Sequence, residues 1–152
     1  MAHSALASTV WPPTPVSPAV KDLLARLFHL VDQKDDNVGS LLAEEIFTPD
    51  ARFVSANGVF HGKEEITNSR ANAWKVVTFR KHTVDKVYAG AADGTDLVLT
   101  GTLETRTKDS GPATTITEFA ARAVIDQSAG TTGPRIKEYQ AWIGMSTTPA
   151  QQ

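Results

Sequence analysis

His82 and Arg70 are the residues of this chain best suited to moving a proton or holding an anion. A histidine with an ordinary pKa of about 6.5 takes up and returns a proton at neutral pH, as enolisation, dehydration or cyclisation requires. Arg70 lies near the middle of a stripe, Ile66, Arg70, Ala73, Trp74 and Val77, whose spacing puts all five on one helical face. A guanidinium among apolar side chains must reach water, pair with an acid or bind something, and its planar fork suits a carboxylate or an enolate oxygen. Trp74 offers a flat apolar wall for a ligand, and Phe60, Ile66, Tyr139 and Trp142 complete the substrate-binding candidates. A purely structural reading stands beside this one. In it Arg70 pairs with Glu104, Glu118 or Glu138, Trp74 is core, and His82 bonds to a backbone carbonyl.

Glu104 and Glu118 are the candidate catalytic carboxylates, and a period of two bears on them. Leu97, Leu99, Leu103, Phe119, Ala121, Ala123 and Ile125 share one face of a hairpin, while Thr102, Glu104, Ile116, Glu118 and Arg122 share the other. The apolar set is the core face, so both glutamates point to solvent or a dimer interface unless a bulge reverses the parity.

These residues need elements to position them. Ser17-Pro18 is a hydroxyl cap followed by a proline at the first helical position, and Val20, Leu23, Leu24, Leu27 and Val31 recur at helical spacing over 18–33. Val38, Leu41, Leu42 and Ile46 predict a second helix, stopped by Thr48-Pro49-Asp50. A short hairpin follows, with Asn57-Gly58 suited to a type I′ turn. A third helix is expected over 63–77, carrying the Arg70 stripe. Strands are expected over 79–89, 95–107, 113–126 and 135–145, separated by Asp93-Gly94, Asp109 to Pro112, and Gly130 to Pro134. Helices ahead of a run of strands argue an α+β domain with the helices on one face of a curved sheet. Residues 1–16 read as a flexible proline-rich arm in which Trp11 can pack onto the body, 17–146 as the domain, and 147–152 as a disordered tail. His3 falls in the arm.

Composition narrows the function. The 152 residues are enough for one domain with a real core, and 41% hydrophobic with 21% charged residues is ordinary for a globular chain. A net charge of -2, with no basic cluster beyond Arg80-Lys81, argues against nucleic acid. The absence of cysteine excludes disulfides and thiolate chemistry. His29, His61 and His82 share no ligand spacing, so no metal site is expected. No phosphate loop, dinucleotide fingerprint or nucleophile elbow is present. The first sixteen residues fit neither a signal peptide nor a membrane span, which makes the cytoplasm the default expectation.

Three segments, Phe47-Thr48-Pro49-Asp50-Ala51, Val59-Phe60-His61-Gly62-Lys63-Glu64-Glu65-Ile66 and Phe79-Arg80-Lys81-His82-Thr83-Val84, resemble the SnoaL-like branch of the nuclear transport factor 2-like superfamily. The Trp11-Pro12-Pro13 leader is similar to that of fungal members. The resemblance spans about Ser17 to Met145. It implies a cone: a strongly curved, mixed or antiparallel sheet wrapped around three N-terminal helices, with an apolar pocket and dimerisation through the outer sheet face. It also implies cofactor-independent enzymes, among them polyketide cyclases, dehydratases, isomerases and epoxide hydrolases, beside members without known chemistry. His82 resembles in position a histidine of the scytalone dehydratases, but their second histidine has no counterpart in Thr100-Gly101-Thr102-Leu103-Glu104. Alanine stands at 141, near where epoxide-hydrolase and cyclase relatives often carry an aspartate. The expectation is therefore an acid/base enzyme acting on a small polyketide- or terpenoid-type substrate, with His82 as acid/base and Arg70 as anchor. A non-catalytic dimeric ligand-binding or scaffold protein is the alternative.

Overall fold

The computed structural model describes residues 4–128 and 133–146, so His3, the expected tail 147–152 and most of the last turn lie outside the described residues. Helix α1 runs Pro18–Val31, with the Ser17 hydroxyl accepting the Val20 N–H at 3.2 Å and Pro18 in the first turn. Its apolar face, with Leu24, Leu27 and Phe28 at most 1% exposed, packs into the core. Helix α2 is one turn, Val38–Leu41, continued by a π-helical turn over Leu42–Ile46. Strand β1 then begins at Phe47 and runs to Ser55, so Thr48-Pro49-Asp50 lies inside a strand. Pro49 is tolerated there because the pairing of β1 shifts register between Phe47 and Arg52.

Strand β2 is Gly58–His61, and Ser55 pairs with Gly58 across a two-residue loop, Ala56-Asn57. The expected type I′ turn is not formed: among the described residues only glycines have positive φ, and Gly58, at φ 140°, follows the loop.

Helix α3 is Gly62–Thr67, not 63–77. The Ser69 N–H and hydroxyl both donate to the Ile66 carbonyl, at 3.1 and 2.6 Å, which is the acceptor Arg70 would use in a continuing helix. The chain goes on in three-residue turns, Ala71 to Asn68 and Ala73 to Arg70. Gly39 of α2 approaches the end of α3 so closely that an added Cβ would lie 2.0 Å from the Thr67 carbonyl oxygen.

The remaining strands are β3 Val77–Ala89, β4 Asp96–Thr107, β5 Thr115–Asp126 and β6 Arg135–Ser146. They form an antiparallel meander, and β1 joins β6 in parallel, which gives a six-stranded order β2-β1-β6-β5-β4-β3. Bulges between Val84 and Lys86 and along the β5–β6 ladder bend the sheet. Leu97, Leu99, Phe119, Ala121, Ala123 and Ile125 are buried on the inner face against α1, and Glu118 and Arg122 are exposed on the other. The result is an α+β cone with helices inside a curved, unclosed sheet.

Residues 5–10 lie along the β3 edge, where Ala5 and Leu6 are buried. The Ala5 carbonyl accepts from Val84, and Val10 bonds to Asp85 and Val87, all at 2.9–3.0 Å. These contacts occupy backbone groups that an edge strand leaves open. Among the described residues no helix is long and apolar enough to cross a membrane.

Candidate functional site

Strand alternation sends Arg80, His82 and Val84 toward the helices, and His82 meets the C-terminal end of α1. There Asp32, the residue that caps α1, holds it twice. The His82 backbone N–H donates to Asp32 Oδ2 at 2.9 Å, and ring Nδ1 lies 2.6 Å from Oδ1. A carboxylate only accepts, so Nδ1 carries the donated proton, and in the neutral ring the lone pair is then on Nε2. The ring packs against Phe28 and Phe119, with centroids at 5.1 and 5.3 Å. Both partners are largely shielded, with side chains 13% and 19% exposed for His82 and Asp32.

His82 lines a cavity of about 300 Å³. Leu27, Val31, Phe53, Leu103, Tyr139 and Ala141 give it apolar walls, and Arg70, Arg80, Asn72 and Thr105 add polar groups. Arg70 Nη2 donates to the Val31 carbonyl at 2.7 Å, and Arg80 Nη2 to the Ala73 carbonyl at 2.9 Å. The guanidinium of Arg80 also lies 4.5 Å over the Trp74 ring. Burial pulls Arg70 down to about 10, with the neighbouring Arg80 pulling the same way and Asp32 opposing. Arg80 is lowered by the same burial. Burial also pushes the Tyr139 phenol up, which keeps its hydroxyl protonated.

The sequence candidates are thus distributed unevenly. His82, Arg70 and Tyr139 line the cavity. Trp74 does not: its indole donates to the Gln33 carbonyl at 3.0 Å, on the far side of the Arg70 turn. Ile66 is fully buried core, and Phe60 packs on Phe53 outside the cavity wall. Glu118 and the half-exposed Trp142 flank a cleft on the outer sheet face. Glu104, at a β4 position opposite Lys81, shares that outer parity. Arg70 pairs with none of the three glutamates proposed for it and bonds to a helix carbonyl instead.

Asp32 escaped the sequence reading, although a signal for it exists. It sits four residues after Phe28, at the edge of the apolar face, and places an acid where the helix dipole disfavours one. Arg80 likewise sits two residues before His82, hence on the same strand face. Among the described residues no group of three His, Asp or Glu side chains is arranged to hold a metal.

No family model matches the chain, and no curated protein does. Solved structures do. The hexachlorocyclohexane dehydrochlorinase LinA-type3 from Novosphingobium barchaimii superposes with a TM-score of 0.66 at 14% identity, over 88% of this chain and 90% of that one. A hypothetical protein with a ketosteroid isomerase-like fold from Catenulispora acidiphila gives 0.63 at 17%, over 90% and 93%. Nuclear transport factor 2 from Cryptosporidium parvum gives 0.58 at 16%, over 82% and 90%. The chain has the nuclear transport factor 2-like fold.

Proposed function

We propose that this protein is a cofactor-independent acid/base enzyme of the SnoaL-like type, acting on a small, largely apolar, oxygenated molecule. The observation that carries the reading is His82, held by Asp32 through Nδ1 at 2.6 Å while lining the cavity. Nε2 takes a proton from a carbon next to a carbonyl, and the C–H electron pair moves to the carbonyl oxygen. Returning the proton to a second carbon completes an isomerisation. Delivering it to a β-hydroxyl, which leaves as water, completes a dehydration. Asp32 stabilises the imidazolium formed in between. Arg70 anchors an oxygen of the substrate, and the polyketide or terpenoid class suits the apolar walls. The similarity in fold to a dehydrochlorinase agrees with proton abstraction as the shared step. Glu104 and Glu118, on the outer face, are left out of the chemistry.

A second reading is a non-catalytic ligand binder, favoured by alanine at position 141 on the cavity wall, where no second base is supplied. In either case a homodimer through the outer sheet face accounts for exposed Val98 and Trp142. The test is proton exchange of 2-tetralone, a small carbon acid, followed by NMR in D₂O. The wild type is expected to accelerate exchange, and His82→Ala to lower the rate by on the order of 100-fold or more. Equal rates for the two proteins reject the base, and binding without exchange supports the second reading.

A further inference from the structure

Two guanidinium groups stand beside His82 with donors to spare. Arg70 spends Nη2 on the Val31 carbonyl, and its Nε is buried without a partner. Arg80 spends Nη2 on the Ala73 carbonyl, and its Nη1 is buried without a partner. A guanidinium carries five N–H donors, and a cation set among the apolar walls of a cavity favours an anionic acceptor from outside the chain. Neither arginine is loosely placed, since helix and turn carbonyls hold both and the Trp74 ring backs Arg80 at 4.5 Å.

The charges agree. Among the described residues no aspartate or glutamate lines the cavity. Asp32 is the acid whose field reaches both arginines, and it is already engaged by His82. Two cations against one carboxylate leave a single positive charge in an apolar enclosure. We propose that Arg70 and Arg80 form a carboxylate subsite, so that the ligand of this cavity is a small monoanionic aromatic or alicyclic carboxylic acid.

Two guanidinium forks on the wall of one cavity suit the two oxygens of one carboxylate. A phosphate dianion would overcompensate the charge, and the cavity wall brings no lysine to meet it. Calling the ligand a substrate rests on the reading of His82 as the base; the subsite itself does not. Arg80 and His82 are two residues apart on one strand face, roughly 7 Å along it. The carboxylate is thus a handle, and the acidic C–H lies several bonds away from it.

The experiment is calorimetric titration of 2-naphthoate against its neutral isostere 2-naphthamide. The wild type is expected to prefer the naphthoate by about 10-fold or more, and the preference should fall as chloride is raised. Arg70→Met and Arg80→Met are expected to abolish the preference, and Arg70→Lys and Arg80→Lys to weaken it. Circular dichroism checks each fold, and should a methionine variant fail, the lysine variants and the wild-type chloride dependence decide. Naphthamide binding as tightly as naphthoate, no naphthoate binding, or a preference unchanged in folded arginine variants overturns the subsite. Naphthoate preference without 2-tetralone exchange keeps the subsite and removes the base, and the converse result does the opposite.

Discussion

Asp32→Asn changes almost no volume, yet it should reverse the tautomer of His82. In the native protein Oδ2 accepts the His82 backbone N–H at 2.9 Å and Oδ1 faces Nδ1 at 2.6 Å. The backbone donor cannot change, so the asparagine oxygen must take it, and the amide NH₂ then faces Nδ1. Two donors cannot meet, so the ring shifts its proton to Nε2 and loses the lone pair that the proposed base uses. Both bonds lose their charge assistance, at a combined cost of about 1–2 kcal/mol, since both side chains keep some solvent contact. For a chain of this size that is a fall in Tm of about 2–8 °C. Asp32→Ala, which also orphans the His82 N–H, should cost about 2–4 kcal/mol. The assay is a long-range ¹H–¹⁵N correlation on histidine-labelled protein, read beside the melting curve. The native spectrum should show a protonated Nδ1 and an unprotonated Nε2, and Asp32→Asn the reverse, with loss of 2-tetralone exchange. A native ring protonated on Nε2, or an unchanged tautomer in Asp32→Asn, refutes the argument.

Three further outcomes are expected. Gly101→Ala should destabilise by more than about 3 kcal/mol in a thermal melt, because its Cβ would meet the Thr83 carbonyl oxygen across the β3–β4 ladder and neither backbone can yield. Ala141→Leu, on the cavity wall, should abolish naphthoate binding by titration while changing stability by no more than about 1.5 kcal/mol, since the added methylenes enter existing space. Asp96 receives two bonds from Arg122, at 2.9 and 3.0 Å, which hold its carboxyl below the usual range. The folded pKa is lower than the unfolded one, so this stabilisation is present above the ordinary aspartate range and lost as pH falls through the lower folded value. Melting curves of wild type and Asp96→Asn should therefore differ slightly at neutral pH and converge in acid.

Local pattern was legible because each element's buried face leaves a period in the chain. The Ser17-Pro18 start and the leucine spacing marked α1, and the alternation of Leu97, Leu99, Phe119 and Ala121 marked the inner sheet face. The same parity placed Glu104 and Glu118 outside, where Glu118 is exposed. The third helix was over-read, because apolar spacing runs on through Val77 while Ser69 takes the Ile66 carbonyl and ends the α-helical ladder. The type I′ expectation failed because the strand pairing chose Ala56-Asn57 as the loop, leaving Gly58 to begin β2.

By itself the sequence determined the class of fold, the outward placement of Glu118 by strand alternation, and an arginine set among apolar side chains. Only the tertiary structure decided what these residues meet. Asp32 and His82 are 50 positions apart, and Arg70 reaches Val31 across 39. Such pairs are set by how the end of α1 docks into the curved sheet, and β1 pairs in parallel with β6 over a still larger separation, Arg52 opposite Glu138. Periodicity reports which way a side chain points, and it carries no record of the partner waiting there.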